Sequence, residues 1–345
     1  MDFYNYIDSN GGGDNLKRVA LGYFPIPGIS TTTNDIRIRG VLALQDIKKG
    51  DVILRIPYER LAVNLGQEGS DPTGAGIELL KAYCSSSSSS PRKPYFDMLP
   101  PFMGTDCLGS TDFFNQQELE ALQSPLIVEE TLNRREKILN RFKDDDESWT
   151  NYKIRANDDD DDKLDDVTEK HLQWAVWLVT SRVLTVQGDP SRGEAFRLLI
   201  PFIDMCNHDR SSPHVLTGRA VPGGELKVVA GANIAAGSQV NICYGGGVAG
   251  NDRFIQDYGF LDSTSSAYDI VAKQLLGKTP MMERNGLLIM PGERDRMLDA
   301  LRQTTTVEDE ELLRSPPSEF SPAMLDAVRY RYGLKKALQK YMLIS

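Results

Sequence analysis

Leu198–His208 reads LLIPFIDMCNH, and Val240–Asp262 reads VNICYGGGVAGNDRFIQDYGFLD. The first stretch is an apolar run broken by Pro201, whose missing backbone N–H ends a strand. It closes on Asp204, Asn207 and His208, three polar side chains brought out of an apolar background. The second begins as a strand from Val240 to Tyr244 and then carries two aromatic–glycine groups, Tyr244-Gly245 and Tyr258-Gly259-Phe260. Taken singly, a Tyr-Gly pair is a turn with a packed ring and an Asn-His pair is a satisfied loop.

Upstream of these stretches, Trp174–Leu184 reads WAVWLVTSRVL. Leu172, Ala175, Val176, Val179 and Val183 recur at helical spacing, with Trp174, Trp177 and Leu178 on the other sides. A helix apolar nearly all round is a buried one. Asp166 and Glu169 fit its N-cap and N3 partner. Farther back, residues 18–24 fit a strand. Arg37-Ile38-Arg39-Gly40-Val41 leads into another, and Val52, Leu54 and Ile56 alternate until Pro57. Between these parts, helical patterns cover about 76–84 and 117–143. Downstream, 226–229 is a strand, Ala236-Gly237-Ser238 a turn, and the pattern is helical from 266, with Leu334, Leu338 and Met342 every four residues. Strands, a helical stretch, strands and then helices predict an α+β protein of short, mostly antiparallel strands.

In this order and spacing the segments resemble the SET-domain methyltransferases, and among them the branch of the Rubisco large-subunit lysine methyltransferase and its actin-histidine-methylating relative. The branch's Pro-containing segment ending in Asn-His is matched by Leu198–His208, its Trp-Ala…Ser-Arg helix by Trp174–Leu184, and its Tyr-Gly…Tyr-Gly-Phe ending by Val240–Asp262. The resemblance covers roughly residues 15–270. It implies a SET domain over 1–270, with a helical insert at about 60–185, and a short helical substrate-binding-like region over 271–345.

It also implies S-adenosylmethionine as cofactor and a protein side-chain nitrogen as acceptor. Tyr244 is then the expected catalytic tyrosine and Tyr258 the second hydroxyl where donor and acceptor meet. Phe260 packs on adenine. Asn207 and the backbone of His208 bind the cofactor, Asp204 contacts it, and Arg182 pairs with its carboxylate, as a guanidinium fork suits. Arg37, Ile38, Arg39 and Gly40 occupy the family's G-x-G position. There Ile38 replaces a glycine, although a β-branched residue avoids positive φ. In the histidine-methylating relative a polar Asn stands two residues after the helix Arg. Leu184 stands there here, and its apolar wall suits a lysine stem and gives an imidazole nothing to bond. Lysine is the expected acceptor and Leu184 a substrate contact. Histidine methylation and an inactive SET-fold interaction module are the alternatives, the module prompted by Ile38 and the short C-terminal region.

The residue types suit the chemistry. Methyl transfer from a sulfonium is an in-line displacement, which needs donor and acceptor held about 3 Å apart. A lysine with a pKa of about 10.4 must be neutral to attack. Desolvation and the sulfonium charge push that pKa down, so no dedicated base is required and tyrosine hydroxyls suffice to orient the amine.

The 345 residues carry a formal net charge of −10. Residues 143–166 hold eleven Asp or Glu against four Lys or Arg, so most of that charge is local. This tract, with five Asp at 158–162, is expected as an exposed loop, as is the run Ser85–Ser90. A chain without a basic patch is not a nucleic-acid binder. No run of 18 apolar residues suggests a membrane span, and no signal peptide is visible. Cys84, Cys107, Cys206 and Cys243 form no C-x-x-C pair, and the three His are scattered, so no metal is expected. Cys206 and Cys243 read as small apolar fillers and His171 and His214 as surface residues. The missing Cys-rich tail argues against the histone-type enzymes. A monomer is expected, acting on a non-histone protein in the cytoplasm or nucleus, with a plastid left open.

Overall fold

The computed structural model describes residues 2–25, 37–69, 71–85, 91–102, 110–144, 149–155, 164–278 and 291–342. The chain forms two compact units. One comprises residues 1–101, 148–167 and 178–247, the other 102–147, 168–177 and 248–345. The Ser86–Ser90 and Asp158–Asp162 runs, and Cys107, lie outside the described residues.

The first unit holds the strands: β1 (Val19–Pro25), β2 (Arg37–Ala43), β3 (Val52–Pro57), β4 (Val63–Gln67), β5 (Lys153–Arg155), β6 (Leu164–Asp166), β7 (Leu184–Gln187), β8 (Ala195–Leu199), β9 (Asn207–His208), β10 (Val215–Gly218), β11 (Glu225–Val229) and β12 (Gln239–Ile242). Three small sheets run in the orders β1-β2-β12-β9, β10-β11-β3 and β4-β8-β7, and β5 and β6 make a hairpin. In β3, Leu54 and Ile56 are buried on one face; on the other Ile53 is buried too, and Arg55 is exposed and pairs with Glu225 of β11 at 3.0 Å.

β12 organises the site. On one side it pairs antiparallel with β2 (Gln239 opposite Leu42, Val240 opposite Val41). On the other it pairs parallel with β9 (Asn241 opposite Asn207, Ile242 opposite His208). Parallel neighbours cannot be joined by a tight turn; the loop between β9 and β12 is filled by the β10–β11 pair. Buried Val41, Val240, Cys206, Phe202 and Ile203 pack this region.

The second unit is helical among its described residues. Its helices Gln116–Ala121, Pro125–Asp144, Ser265–Leu275, Pro291–Leu301, Thr306–Arg314 and Pro322–Met342 enclose a core of Leu119, Ile127, Val271, Leu275, Tyr330 and Leu334. Capping boxes at Asn115/Glu118 and Thr305/Glu308 start two of them. Residue 270, the expected end of the SET domain, falls within Ser265–Leu275. Leu334 and Leu338 are buried as their spacing predicts, while Met342 is exposed.

Three expectations are corrected. Asp166 does not cap the helix Glu169–Arg182. It ends β6 opposite Lys153, and Thr168 precedes the helix, with its backbone N–H 3.0 Å and its hydroxyl 2.9 Å from His171 Nδ1. His171 is therefore no surface residue; it is buried with its ring 4.2 Å from that of Phe102. The acidic tract is likewise not loop throughout: residues 153–155 and 164–166 pair as β5 and β6, and β6 is exposed as expected.

In the second unit, Asp309 is fully buried and meets Arg331 Nε and Lys335 Nζ, each at 2.8 Å. Removing one partner of a buried ion pair costs about 3–5 kcal/mol because the other charge is stranded. Asp309→Asn is expected to lower unfolding free energy by about 3 kcal/mol in a urea titration; a loss under about 1 kcal/mol would contradict this account of the helical unit.

Candidate active site

In the first unit the chain leaves β8 through Ile200-Pro201 into a strained corner. Phe202 has φ 66° and ψ −45°, a conformation an aromatic residue rarely adopts. Such strain costs of order 1–3 kcal/mol and persists only where surrounding packing imposes it. Here Phe202 is fully buried, its ring 5.2 Å from Phe3. The corner ends in a single 3₁₀ turn, Ile203–Met205, tied back by Asp204 N–H to Ile200 O at 3.0 Å. The result is an aspartate driven into the interior.

The Asp204 carboxylate is buried, and Tyr95 Oη donates to its Oδ2 at 3.0 Å. Its Oδ1 has no hydrogen-bond partner. Burial pushes its pKa up to about 6, against the pull of Arg182, the Tyr95 hydroxyl and Arg39. Arg182, at the end of the helix Glu169–Arg182, donates from Nη1 to the Asp204 carbonyl at 2.9 Å, and its Nε is buried without a partner. Arg39 donates to the Met98 carbonyl, and burial followed by the Arg182 charge lowers its pKa. The cluster thus holds two guanidinium groups around one carboxylate, with one donor and one acceptor still unused.

Beside it, the β2–β12 pairing stops at Val41–Val240, and Asn207 Nδ2 donates to the Arg39 carbonyl at 3.0 Å. Gly40 lies under two side-chain amides. A Cβ there would lie 2.6 Å from Gln239 Nε2 and 2.7 Å from Asn207 Nδ2. Ile38 needs no glycine-like backbone, since it lies in β2 opposite Phe24 with an ordinary negative φ. Arg37 opens β2 and is exposed.

The parallel β9–β12 pairing carries Tyr244 to His208. Tyr244 N–H donates to His208 Nδ1 at 3.0 Å, and the two rings lie 5.2 Å apart. Nδ1 therefore accepts, and a neutral His208 carries its proton on Nε2. Tyr244 Oη donates to the Cys206 carbonyl at 2.5 Å. Gly245, Gly246 and Gly247, with φ of 60°, 60° and 77°, turn the chain immediately afterwards. Cys206 is buried, and burial and then the Asp204 charge hold its thiol far above the usual range. Leu184 begins β7 opposite Leu198 and is half-buried. His214 is half-buried and accepts from Gly231 N–H at 3.2 Å.

Tyr258 and Phe260 belong to the second unit. Tyr258 closes a wide turn, Phe254–Tyr258, and Gly259 then takes φ 78°, which allows its N–H to reach the Phe254 carbonyl at 2.9 Å. Phe254, Tyr258 and Phe260 form an aromatic trio with ring separations of 5.1 to 6.1 Å. Burial, and then neighbouring Asp257, push the Tyr258 pKa up to about 12. Asn251 clamps the end of this segment, donating to the Asp262 carbonyl at 3.0 Å and accepting from its N–H at 2.8 Å.

The structure therefore gathers Arg39, Gly40, Arg182, Asp204, Asn207, His208 and Tyr244 in one unit. It adds Tyr95 and Gln239, which sequence patterns did not single out. Tyr95 lies in an apolar stretch 109 residues before Asp204, and no local spacing connects them.

The raised pKa of Asp204 gives a testable pH dependence. Its folded value of about 6 lies above the unfolded value of about 3.9, so the folded state binds the proton more tightly. Stability from this group is complete below pH about 4 and is lost as pH rises through about 6. The stability of wild type minus that of Asp204→Asn is expected to shift toward wild type by roughly 2 kcal/mol between pH 7.5 and 4. A pH-independent difference in paired denaturation curves would contradict it.

A family model for the SET domain matches residues 38–245, well over half of the chain. That span includes every site residue of the first unit named above except Arg37. Among solved structures, one of Rubisco LSMT bound to AdoMet is similar, with a TM-score of 0.63 and 19% sequence identity, covering 99% of this chain and 90% of that one. The SET domain of LSMT bound to lysine and AdoHcy gives a TM-score of 0.62 at 18% identity, covering 99% and 89%. At these identities the likeness is one of fold. No curated protein matches significantly. The chain belongs to the SET-domain family.

Proposed function

We propose that this protein is an S-adenosylmethionine-dependent protein-lysine N-methyltransferase acting on a non-histone protein. The observation that carries the reading is the pair of unused groups at Asp204 and Arg182. A buried acceptor, Asp204 Oδ1, and a buried donor, Arg182 Nε, lie on two residues joined by the 2.9 Å bond from Arg182 Nη1 to Asp204 O. An unsatisfied buried polar group costs about 1–3 kcal/mol, more when charged. The amino-acid end of the cofactor offers an ammonium to the first and a carboxylate to the second. Beside this pair, the amide groups of Asn207 and Gln239 close over Gly40. The LSMT structures, with AdoMet or with lysine and AdoHcy, hold such ligands on the same fold.

When bound, the cofactor supplies a methyl group on a positively charged sulfur. The chain's part is to hold and orient the acceptor. Tyr244 commits its only hydroxyl proton to the Cys206 carbonyl, so its oxygen can meet an amine only as acceptor. Accepting an N–H fixes the amine with its lone pair directed away from the phenol. Apolar Leu184 is assigned to the acceptor's stem, which favours lysine over histidine. Tyr258 is assigned the second hydroxyl and Phe260 the adenine face, on the resemblance of their motif. Ile38, with its ordinary strand backbone, gives no ground for an inactive module.

Tyr244→Phe is expected to reduce lysine methylation by roughly 100-fold or more, since positioning supplies several kcal/mol of the barrier. Cofactor affinity and melting temperature should stay near wild type. Radiolabelled methyl transfer to lysate proteins, read by mass spectrometry, checks the first point, and cofactor titration with thermal denaturation checks the second. Full turnover in the variant removes Tyr244 from the mechanism, and label on histidine rather than lysine overturns the acceptor.

A further inference from the structure

We infer that Arg134, on the insert helix Pro125–Asp144, is a positioning residue for the reaction: its three-way guanidinium bridge fixes the turn that presents Tyr258 and Phe260. The inference rests on the roles proposed for those two aromatics. Arg134 is nearly buried and uses all three nitrogens. Nε donates to Asp112 Oδ1 at 2.8 Å, Nη1 to Asp257 Oδ1 at 3.0 Å and Nη2 to the Gln256 carbonyl at 3.1 Å. Two of these acceptors belong to the two residues immediately before Tyr258.

The anchor on the other side is itself rigid. Asp112 is buried, its Oδ2 accepts from Ser110 Oγ at 3.2 Å, and its backbone carbonyl accepts from Gln173. Arg135, next on the helix, donates to the carbonyls of Thr111 and Phe114 at 2.7 and 2.5 Å. A second tie joins the same helix to the same segment: Glu130 Oε1 lies 3.4 Å from Arg253 Nη1, and Arg253 Nε lies 3.2 Å from Asp257 Oδ2. Asp257 is thus held between two arginines. Burial alone would lower the pKa of Arg134, but Asp112 and Asp257 outweigh it and keep the guanidinium charged.

A lysine cannot copy this arrangement. It retains the charge, but its one nitrogen cannot reach three acceptors spread around a planar fork. Misplacement by about 1 Å is enough to cost 100-fold in rate. The test compares Arg134→Lys with wild type in kcat, in KM for S-adenosylmethionine and in amide hydrogen exchange over residues 254–260. Arg331→Lys is the control, since it disturbs a buried ion pair of the same kind at Asp309. Arg134→Lys is expected to lower kcat at least tenfold, raise KM severalfold and speed exchange over 254–260, while Arg331→Lys loses stability with kcat intact. Should Arg134→Lys fail to fold, Asp257→Asn releases the Asp257 arm and leaves Arg134 on Asp112; it is expected to lower kcat about fivefold or more. Active wild type with unchanged kcat in the folded variant overturns the inference alone, as does an equal fall in Arg331→Lys. Wild type that neither binds the cofactor nor methylates lysine overturns the proposed function and this role with it.

Discussion

The site depends on β12 having two different neighbours. Its antiparallel pairing with β2 fixes Gly40 and Arg39, and its parallel pairing with β9 fixes Asn207 and His208. Neither pairing is extensive, and each covers two residues of β12. Their effect comes from what lies just beyond them. Where β2 leaves β12, Asn207 takes over the Arg39 carbonyl; where β12 ends, Tyr244 reaches His208 through its own N–H. Segments far apart in the chain are thereby set to within a hydrogen bond of each other. Side-chain bonds do the work that a longer ladder would do in a regular sheet.

The Asp204–Arg182 pair stands out as a buried carboxylate beside a partly buried guanidinium, each only partly satisfied. Proteins bury ionised groups when those groups are paired. Here the pairing is indirect: the guanidinium bonds the aspartate's backbone carbonyl, and one carboxylate oxygen takes a tyrosine hydroxyl. The strained φ at Phe202 has the same sense, since it is the corner that turns Asp204 inward. Strain and unspent hydrogen-bonding capacity in one place favour a ligand over a purely structural role. Asp309 shows the contrast. It is as deeply buried, but both its oxygens meet cations, and it reads as structural.

Much of this was legible in the sequence because it depends on near neighbours. The alternation of Val52, Leu54 and Ile56 and the all-round apolar pattern of Leu172–Val179 became a strand and a buried helix. The order of the Ser-Arg, Asn-His and Tyr-Gly motifs pointed to the SET family, which the family match bears out over residues 38–245. What local pattern could not supply is tertiary. Asp166 and Glu169 have the spacing of a capping box, yet the cross-strand pairing of Asp166 with Lys153 prevails and leaves Thr168 before the helix. His171 looked solvent-facing because nothing near it in sequence predicts the Phe102 ring. Ile38 raised doubt only on the assumption of a glycine-type turn, where the chain makes a strand. The partners of Asp204 and of Asp257 likewise come from distant helices.

The central claim is that Asp204 and Arg182 receive an amino-acid zwitterion joined to an adenosine sulfonium. Isothermal titration of the wild-type protein at pH 8 with S-adenosylhomocysteine and with 5′-methylthioadenosine, two neutral thioethers of the same nucleoside of which only the first carries the amino-acid end, tests it most directly. The account predicts saturable binding of the first and at least tenfold weaker binding of the second. Equal affinity for both, or no heat with either at millimolar concentration, would contradict it.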